Sequence, residues 1–218
     1  MRVVLLLDFD GVIVDSPAHF RDATREVANK VLFFVPRRDE LLDRLYEKYV
    51  KRKGTKGEPG ILGRAVGLLF YPILKMWNEA LAKHSKVLPG VEETLRALRR
   101  KGVTVILFSS QDWISNYKER RFKRTGLQKY FDDVVSFRDW KERRRLLQDL
   151  LERYSDAVFV WVDDRPHRFR GNVNGRIIPV WFQFPTTAEW EKEVAETIPR
   201  LKRVKNWDEL RKLVLSYL

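Results

Sequence analysis

Two aspartates near the start of the chain are the first residues whose types and spacing could do chemistry. Asp8 and Asp10 follow a continuous apolar run, 3–7, and precede Gly11. Because alternate residues of an extended chain point to the same side, both carboxylates would face the crevice beyond the end of a strand, where ligands of α/β proteins bind. The same residue types also form ordinary turns, so the rest of the chain has to decide between the two interpretations.

Polar side chains stand at the ends of two further apolar runs. The run 103–108 is followed by Ser109 and Ser110, and a later run ends on the pair Asp163 and Asp164. If the three runs are neighbouring parallel strands, their ends bring four carboxylates and a hydroxyl to one point. Such a cluster of anions is repulsive unless a cation joins it, and oxygen ligands suit a hard ion, most simply Mg²⁺. A metal site is therefore predicted at this edge of the sheet.

These polar residues need a sheet to position them. Continuous aliphatic runs predict strands that are buried on both faces, and they occur at 3–7, 103–108, 134–137, 157–162 and 176–182. Apolar residues at helical spacing occupy stretches between them, at 91–101, 113–125 and 141–154. Strands that alternate with helices of this length indicate crossover connections. We therefore predict an α/β fold, a Rossmann-like parallel sheet with helices on both faces.

The connection between the first and second predicted strands is unusually long. It is filled by helical patterns at 17–34, 39–51 and 61–86. The segment 51–60 is too rich in glycine and charge for a helix, so we expect a loop there. We predict an α-helical insert over 16–87, with the core domain built from 1–15 and 88–218.

The composition excludes several kinds of chemistry. The 218 residues contain no cysteine and three histidines. Disulfides, thiolate nucleophiles and thiolate zinc sites are therefore excluded, and the imidazoles are too few for most histidine-rich metal centres. Any catalytic nucleophile must carry oxygen or nitrogen. His19, at the start of the predicted insert, could touch a substrate, but we favour an ordinary surface or packing role.

The basic excess of the chain is local. The formal net charge is +13, and residues 96–145 contain 15 basic and 6 acidic side chains, a surplus of nine. Clustered Lys and Arg side chains bind a phosphate backbone by releasing counterions, so nucleic-acid binding is one hypothesis. The hypothesis that we favour is a solvated surface with many ion pairs, of the kind found in heat-adapted proteins.

The apolar segments are unsuited to a membrane. The run 3–7 is shorter than the apolar part of a signal peptide or a membrane span. The segment 60–77 is rich in Leu, Gly and aromatics but is interrupted by Arg64, Pro72 and Lys75. We predict a core-facing amphipathic helix there rather than an interfacial membrane segment. We expect a cytoplasmic protein with no membrane partner.

The motifs as a set resemble the haloacid dehalogenase (HAD) superfamily, in its phosphatase branch with a helical cap. The segment 8–16, Asp-Phe-Asp-Gly-Val-Ile-Val-Asp-Ser, resembles the first motif of the family in full, and Ser109 after an apolar strand resembles the second. The later Asp-Asp pair resembles the fourth motif. The segment 88–91, Leu-Pro-Gly-Val, is similar to the stretch that re-enters the core after the cap. The resemblance spans residues 1–182 in order.

The resemblance implies a reaction through an aspartyl-phosphate. Asp8 would attack phosphorus, and Asp10 would protonate the leaving alcohol and then deprotonate the attacking water. Mg²⁺ would be held by Asp8, the backbone carbonyl of Asp10 and Asp164. Asp163 would lie behind these ligands and support them.

The resemblance also implies phosphate-binding residues. Ser109, with Ser110 beside it, would contact phosphoryl oxygens, and Ser109 could cap the following helix as well. The third motif supplies a lysine, for which we choose Lys141 because it begins a helix and lies 22 residues before the Asp pair. The chain departs from the family pattern twice: no proline follows Lys141, and Arg168 stands where relatives often carry an acidic residue. The second departure puts a cation in place of an acidic residue that would help to support the metal.

We therefore expect a Mg²⁺-dependent phosphatase that acts on a small phosphate monoester. The alternatives are a nucleic-acid-binding protein or nucleic-acid terminal phosphatase that uses the basic surface, and a phosphomutase. Core packing is the default for the seven tryptophans. Trp140 and Trp181 are the two that we would look for near the site.

Overall fold

A computed structural model of the protein describes residues 2–31, 71–111, 117–171, 175–183 and 189–218. In these ranges six strands form one sheet. The strands are β1 (Arg2–Leu7), β2 (Thr104–Ser110), β3 (Asp133–Phe137), β4 (Ala157–Asp163), β5 (Ile177–Phe182) and β6 (Lys202–Val204). The longer strands β1, β2, β4 and β5 are buried almost throughout, because each is an apolar run covered on both faces.

The sheet is parallel throughout, in the order β3-β2-β1-β4-β5-β6. β1 is an inner strand. The chain first adds β2 and β3 on one side of it and then adds β4, β5 and β6 on the other side. Leu7, the last residue of β1, lies opposite Val162 of β4 and Leu107 of β2. β4 ends one residue beyond this level and β2 ends three residues beyond it. The reversal of strand order opens a crevice beyond the carboxyl ends of β1 and β4. The predicted parallel α/β fold is confirmed.

The sequence does not predict the sixth strand. β6 has three residues, of which two are exposed and Val204 is buried. One buried side chain in three positions carries no detectable periodicity. β6 forms through its parallel pairing with β5 at the edge of the sheet, a long-range contact that the local sequence does not reveal.

Helices cover both faces of the sheet, as predicted. Their bounds are α1 (Ser16–Val31), α2 (Tyr71–His84), α3 (Val91–Arg100), α4 (Tyr117–Arg124), α5 (Trp140–Arg153), α6 (Glu189–Glu196) and α7 (Trp207–Leu215), with short 3₁₀ turns at Leu127–Tyr130 and Pro166–Phe169. Alternate residues of β1 point to opposite faces. Leu5 packs in one apolar cluster with residues of α3 and α7, and Leu6 packs in a second cluster with residues of α5 and α6. No helix in the described ranges is long and apolar enough to span a lipid bilayer.

α1 and α2 pack against each other through an apolar cluster of their own, formed by Ala23, Val27, Ala80 and Leu81. The two ends of the predicted insert also meet beside β1. Asp15 donates its N–H to the carbonyl of Lys86 at 3.1 Å, and Leu88 donates to the carbonyl of Ile13 at 2.9 Å. The middle of the insert, with the predicted helix over 39–51 and loop over 51–60, lies outside the described residues. The boundaries 16–87 therefore stay a prediction.

Candidate active site

The carboxyl ends of β1, β2 and β4 bring polar side chains into the buried crevice. Asp8 directly follows β1, Ser109 is the second-to-last residue of β2, and Asp163 ends β4. Each of the three is at most 2% exposed. The N–H of Asp8 donates to the carbonyl of Val162 at 3.1 Å, which ties the end of β1 to β4. Because buried polar groups are nearly always hydrogen-bonded, these side chains need partners within the crevice.

Donors on two sides hold the carboxylate of Asp8. Ser109 Oγ donates to Oδ1 at 2.5 Å, and Arg168 Nη1 donates to Oδ2 at 2.9 Å. Hydrogen bonds to a charged acceptor are shorter and stronger than neutral ones. The two bonds therefore fix the orientation of this carboxylate.

The carboxylate of Asp10 turns toward α4. Arg121 forms a bidentate pair with it, 2.8 Å from Nη1 to Oδ1 and 3.2 Å from Nη2 to Oδ2, and Lys118 Nζ lies 3.0 Å from Oδ2. The two cations are three residues apart and so share one face of the helix. The Arg121 guanidinium is buried and lies 5.2 Å from the ring centroid of Phe9. Burial alone would raise the pKa of Asp10, but Lys118 and Arg121 hold that pKa well below its usual range.

Lys118 also reaches the end of β2. Its Nζ lies 3.3 Å from Ser109 Oγ and 3.3 Å from Ser110 Oγ. One ammonium group therefore contacts both serines that the sequence assigns to phosphate binding. The sequence does not single out Lys118, because it lies in a charged run, 118–124, of the kind typical of a solvated helix face. Its spacing of four residues from the buried Phe122 is the signal that could have identified the inward face.

Lys141 lies at the start of α5 with its side chain exposed. Its backbone N–H donates to Oδ1 of the N-cap residue Asp139 at 2.8 Å, and its Nζ lies 5.7 Å from the ring centroid of Trp140. In the described part of the chain, no hydrogen bond or ion pair joins Lys141 to the carboxylates of the crevice, whereas Lys118 contacts Asp10 directly. The role of Lys141 as the phosphate lysine stays a prediction, and Lys118 is a second candidate.

Arg168 and Gly11 arrange the Asp pair at the end of β4. Besides its bond to Asp8, Arg168 Nη1 lies 3.2 and 3.1 Å from the two carboxylate oxygens of Asp163. Asp164 packs directly on Gly11: a Cβ atom at position 11 would lie 2.3 Å from Asp164 Oδ2, and the φ of +77° there favours glycine. Burial raises the pKa of Asp164 above its usual range. Gly11 is therefore required both by the backbone and by the space that this carboxylate occupies.

Three carboxylates of the crevice fit a metal ion. One oxygen from each of Asp8, Asp163 and Asp164 lies within 4.8 Å of the others, and a set of hard oxygen donors suits Mg²⁺. Asp163, which the sequence places behind the ligands, is a member of this cluster. The side chain of Asp10 instead contacts α4. Arg168 adds a cation to the cluster and is bound to two of its three members.

A further cation that the sequence does not single out is Arg143 of α5. Its guanidinium lies 6.0 Å from the ring centroid of Phe137 and 5.8 Å from that of Trp161. Burial lowers the pKa of Arg143, while the negative charges of Asp163 and Asp8 act in the opposite direction. Its buried Nε has no hydrogen-bond partner among the described residues. Arg143 therefore contributes positive charge beside the crevice.

The two tryptophans that the sequence singles out occupy different places. Trp181 is fully buried, and its Nε1 donates to the carbonyl of Asp164 at 3.0 Å, so it supports the end of β4. Trp140 is 61% exposed at the start of α5. His19 lies on α1, and its side chain is outside the described residues.

The fold and the crevice define a class of protein, a parallel α/β protein with a carboxylate site at the ends of its inner strands. The family model of haloacid dehalogenase-like hydrolases matches residues 5–167 of the chain. The chain belongs to this hydrolase family, as its motifs predict.

Solved structures of several bacterial proteins share the fold. A protein assigned as the HAD-hydrolase YfnB of Bacillus subtilis, bound to magnesium, has a TM-score of 0.68 at 16% identity, with 98% of each chain covered. A predicted phosphatase from Clostridium acetobutylicum has a TM-score of 0.60 at 18% identity, with 99% of this chain and 98% of that chain covered. A protein assigned as a β-phosphoglucomutase from Thermotoga maritima has a TM-score of 0.61 at 19% identity, with 100% of both chains covered. A search of curated protein sequences finds no significant match.

Proposed function

We propose that this hydrolase cleaves a small phosphate monoester in a Mg²⁺-dependent reaction that passes through an aspartyl-phosphate. The observation that carries the proposal is the environment of Asp8, a buried carboxylate oriented by Ser109 and Arg168. Asp10 and Lys118 lie in the same crevice. An oriented carboxylate among cations is suited to attack an anionic phosphorus centre, because the cations offset the repulsion between nucleophile and substrate.

The reaction has two steps at one phosphorus atom. In the first, a carboxylate oxygen of Asp8 forms a bond to phosphorus while the bond to the alcohol oxygen breaks, and Asp10 gives a proton to that oxygen. In the second, Asp10 takes a proton from water as the water oxygen attacks phosphorus, and the bond to Asp8 breaks to release inorganic phosphate. Mg²⁺ bound among Asp8, Asp163 and Asp164 would supply positive charge to the phosphoryl oxygens.

The contacts of Asp10 constrain its role in proton transfer. Lys118 and Arg121 keep its pKa low and its carboxylate charged, which suits the base of the second step. The acid of the first step needs a proton on Asp10. A bound phosphoryl group competes with Asp10 for Lys118 Nζ, and loss of this contact raises the pKa of Asp10 toward its usual range. Substrate binding thereby favours the protonated form that the first step uses.

A panel of phosphate monoesters tests the proposed function. We expect the protein to release inorganic phosphate from an activated aryl phosphate and from at least one small natural ester when Mg²⁺ is present. A chelator should abolish the rate and added Mg²⁺ should restore it, because three carboxylates otherwise lack their metal ion. Analysis of the products separates hydrolysis from transfer of the phosphoryl group to a second hydroxyl. A full rate in chelator would contradict the metal requirement, and inertness toward the whole panel would contradict the phosphatase.

Replacing Lys118 and Lys141 one at a time decides which lysine binds the phosphoryl group. We expect Lys118→Met to raise KM for the ester by roughly 10- to 150-fold, the effect of losing a hydrogen bond to a charged group. Lys141→Met is the matched control, because it removes the same charge from an exposed position. The measurement is the steady-state KM and kcat of both variants. A large increase in KM for Lys141→Met and none for Lys118→Met would restore the assignment that the family motif implies.

A further inference from the structure

The start of α5 carries an exposed aromatic and cationic surface. We call it the Trp140 face and define it by Arg138, Trp140, Lys141, Arg144, Arg145 and Gln148. The indole of Trp140 is 61% exposed, which leaves a large apolar ring in contact with water. The other residues of the face in α5 follow at helical spacing: Lys141, then Arg144 and Arg145, then Gln148. They lie along one side of the helix and form a stripe about 10 Å long.

The cations of the Trp140 face form no ion pairs within the described ranges. This holds for the side chains of Arg138, Lys141, Arg144 and Arg145. Several cations elsewhere on the surface are paired, for example Lys123 with Glu119 at 2.7 Å and Arg153 with Asp133 at 3.0 Å. The surface with many ion pairs that the composition favours is therefore interrupted here. Unpaired cations are available to an anion from outside the chain.

Two acidic residues beside the face accept hydrogen bonds from backbone N–H groups. Asp139 Oδ1 accepts hydrogen bonds from the N–H groups of Lys141 and Glu142, each at 2.8 Å. Glu142 Oε2 accepts from the N–H of Arg138 at 2.7 Å. Asp139 therefore caps the helix, and Glu142 binds the residue before the cap. Within the described ranges, neither carboxylate forms an ion pair with a cation of the face.

Two shallow depressions, both open to solvent, adjoin on this surface. One of about 400 Å³ is lined by Arg138, Asp139, Lys141, Glu142 and Arg145. The other, of about 360 Å³, is lined by Trp140, Lys141, Arg144, Arg145 and Gln148. Because Lys141 and Arg145 line both cavities, the two form one continuous depression with an aromatic ring on one side.

We propose that the Trp140 face binds single-stranded nucleic acid. An exposed aromatic ring offers a surface on which an unpaired base stacks, and the neighbouring cations bind the phosphates on either side of that base. Paired bases are stacked inside a duplex. The phosphates of a duplex can therefore contact the cations, but its bases do not stack on the ring of Trp140. The face contains none of the crevice carboxylates and shares only Lys141 with the residues considered for phosphate binding. Substitutions at Trp140, Arg144 and Arg145 therefore test the proposal separately from the phosphatase activity.

Fluorescence anisotropy with labelled single-stranded oligonucleotides of about ten nucleotides tests the proposal on the full chain. We expect binding at low salt that weakens linearly on a log–log plot as salt rises. Trp140→Ala should weaken binding about 5- to 150-fold, the usual effect of removing one stacking ring, and Trp140→Phe should keep most of it. A duplex of the same length should bind more weakly, and Trp140→Ala should leave its affinity unchanged.

A charge-matched control separates the face from the basic character of the chain. We expect Arg144→Ala combined with Arg145→Ala to reduce the slope of log affinity against log salt by about 1.4, the value for two phosphate contacts on a single strand. Arg120→Ala combined with Arg124→Ala removes the same charge from exposed positions of α4 and should change the slope much less. Equal losses in the two double variants would overturn the proposal, as would absence of binding at low salt or full affinity in Trp140→Ala. Thermal unfolding of each variant checks that the fold is retained.

Discussion

Asparagine at position 8 should abolish phosphate-ester hydrolysis, with a fall in rate of at least about a thousandfold in Asp8→Asn. The amide has nearly the shape of the carboxylate, but its oxygen is a far weaker nucleophile. Because Asp8 is buried and held by Ser109 and Arg168, the substitution changes the chemistry of the group more than its position. Steady-state hydrolysis of an aryl phosphate at saturating Mg²⁺ measures the loss.

Asp139→Asn is the matched control for this result. Asp139 is the N-cap of α5, and Asn caps a helix about as well as Asp, so the control makes the same chemical change without loss of the cap. It should keep the full rate, whereas any rate that remains in an Asp8→Asn preparation made in the same way measures contaminating phosphatase. The wild-type protein quenched in acid during turnover should carry one added phosphoryl group by mass spectrometry, and Asp8→Asn should carry none. An unchanged rate in Asp8→Asn would show that Asp8 is not the nucleophile.

The sheet and the convergence of the acidic strand ends could be predicted because both have a local signal. A strand buried on both faces is a continuous apolar run, and the residue that follows it lies at the edge of the sheet. Asp8 and Asp163 are therefore recognisable without any tertiary information. β6 carries no such signal, because two of its three residues are exposed.

The cations of the crevice could not be predicted in the same way. Lys118 and Arg121 lie in a run where Glu119, Arg120 and Lys123 are exposed, and composition does not distinguish the inward face of such a helix from the outward one. Arg121 is buried against Asp10 only because α4 packs on the residues that follow β1. The family motif favours Lys141 because a motif records positions in the chain. It carries no information about the partners of a side chain, and so it does not indicate Lys118.

Arg168 is the residue whose replacement should most change the metal chemistry of the site. Its guanidinium contacts Asp8 and Asp163, two of the three carboxylates that could hold a metal ion. An arginine bound there neutralises the same charges that attract a divalent ion, and like charges at this separation disfavour each other strongly. We therefore expect Arg168 to lower the affinity of the cluster for Mg²⁺ and to stabilise the metal-free protein.

Arg168→Gln should reverse both effects. We expect the variant to bind Mg²⁺ about tenfold or more tightly, measured by calorimetric titration of metal-free protein. Without metal, the variant should lose about 3–5 kcal/mol of unfolding free energy, because buried carboxylates lose their counter-charge. Saturating Mg²⁺ should recover much of this loss, so the rise in Tm on adding Mg²⁺ should be larger in the variant than in the wild type.

Two further substitutions test whether the effect requires a positive charge at position 168 itself. Arg168→Lys keeps a cation in the cluster and should leave the Mg²⁺ affinity near that of the wild type. Arg170→Gln removes the same charge from an exposed residue two positions later and should change the affinity by less than about twofold, because solvent screens it. Equal Mg²⁺ affinities in the wild type and Arg168→Gln would mean that the guanidinium and the metal ion do not compete. Arg168 would then serve only to hold the carboxylates of Asp8 and Asp163 in place.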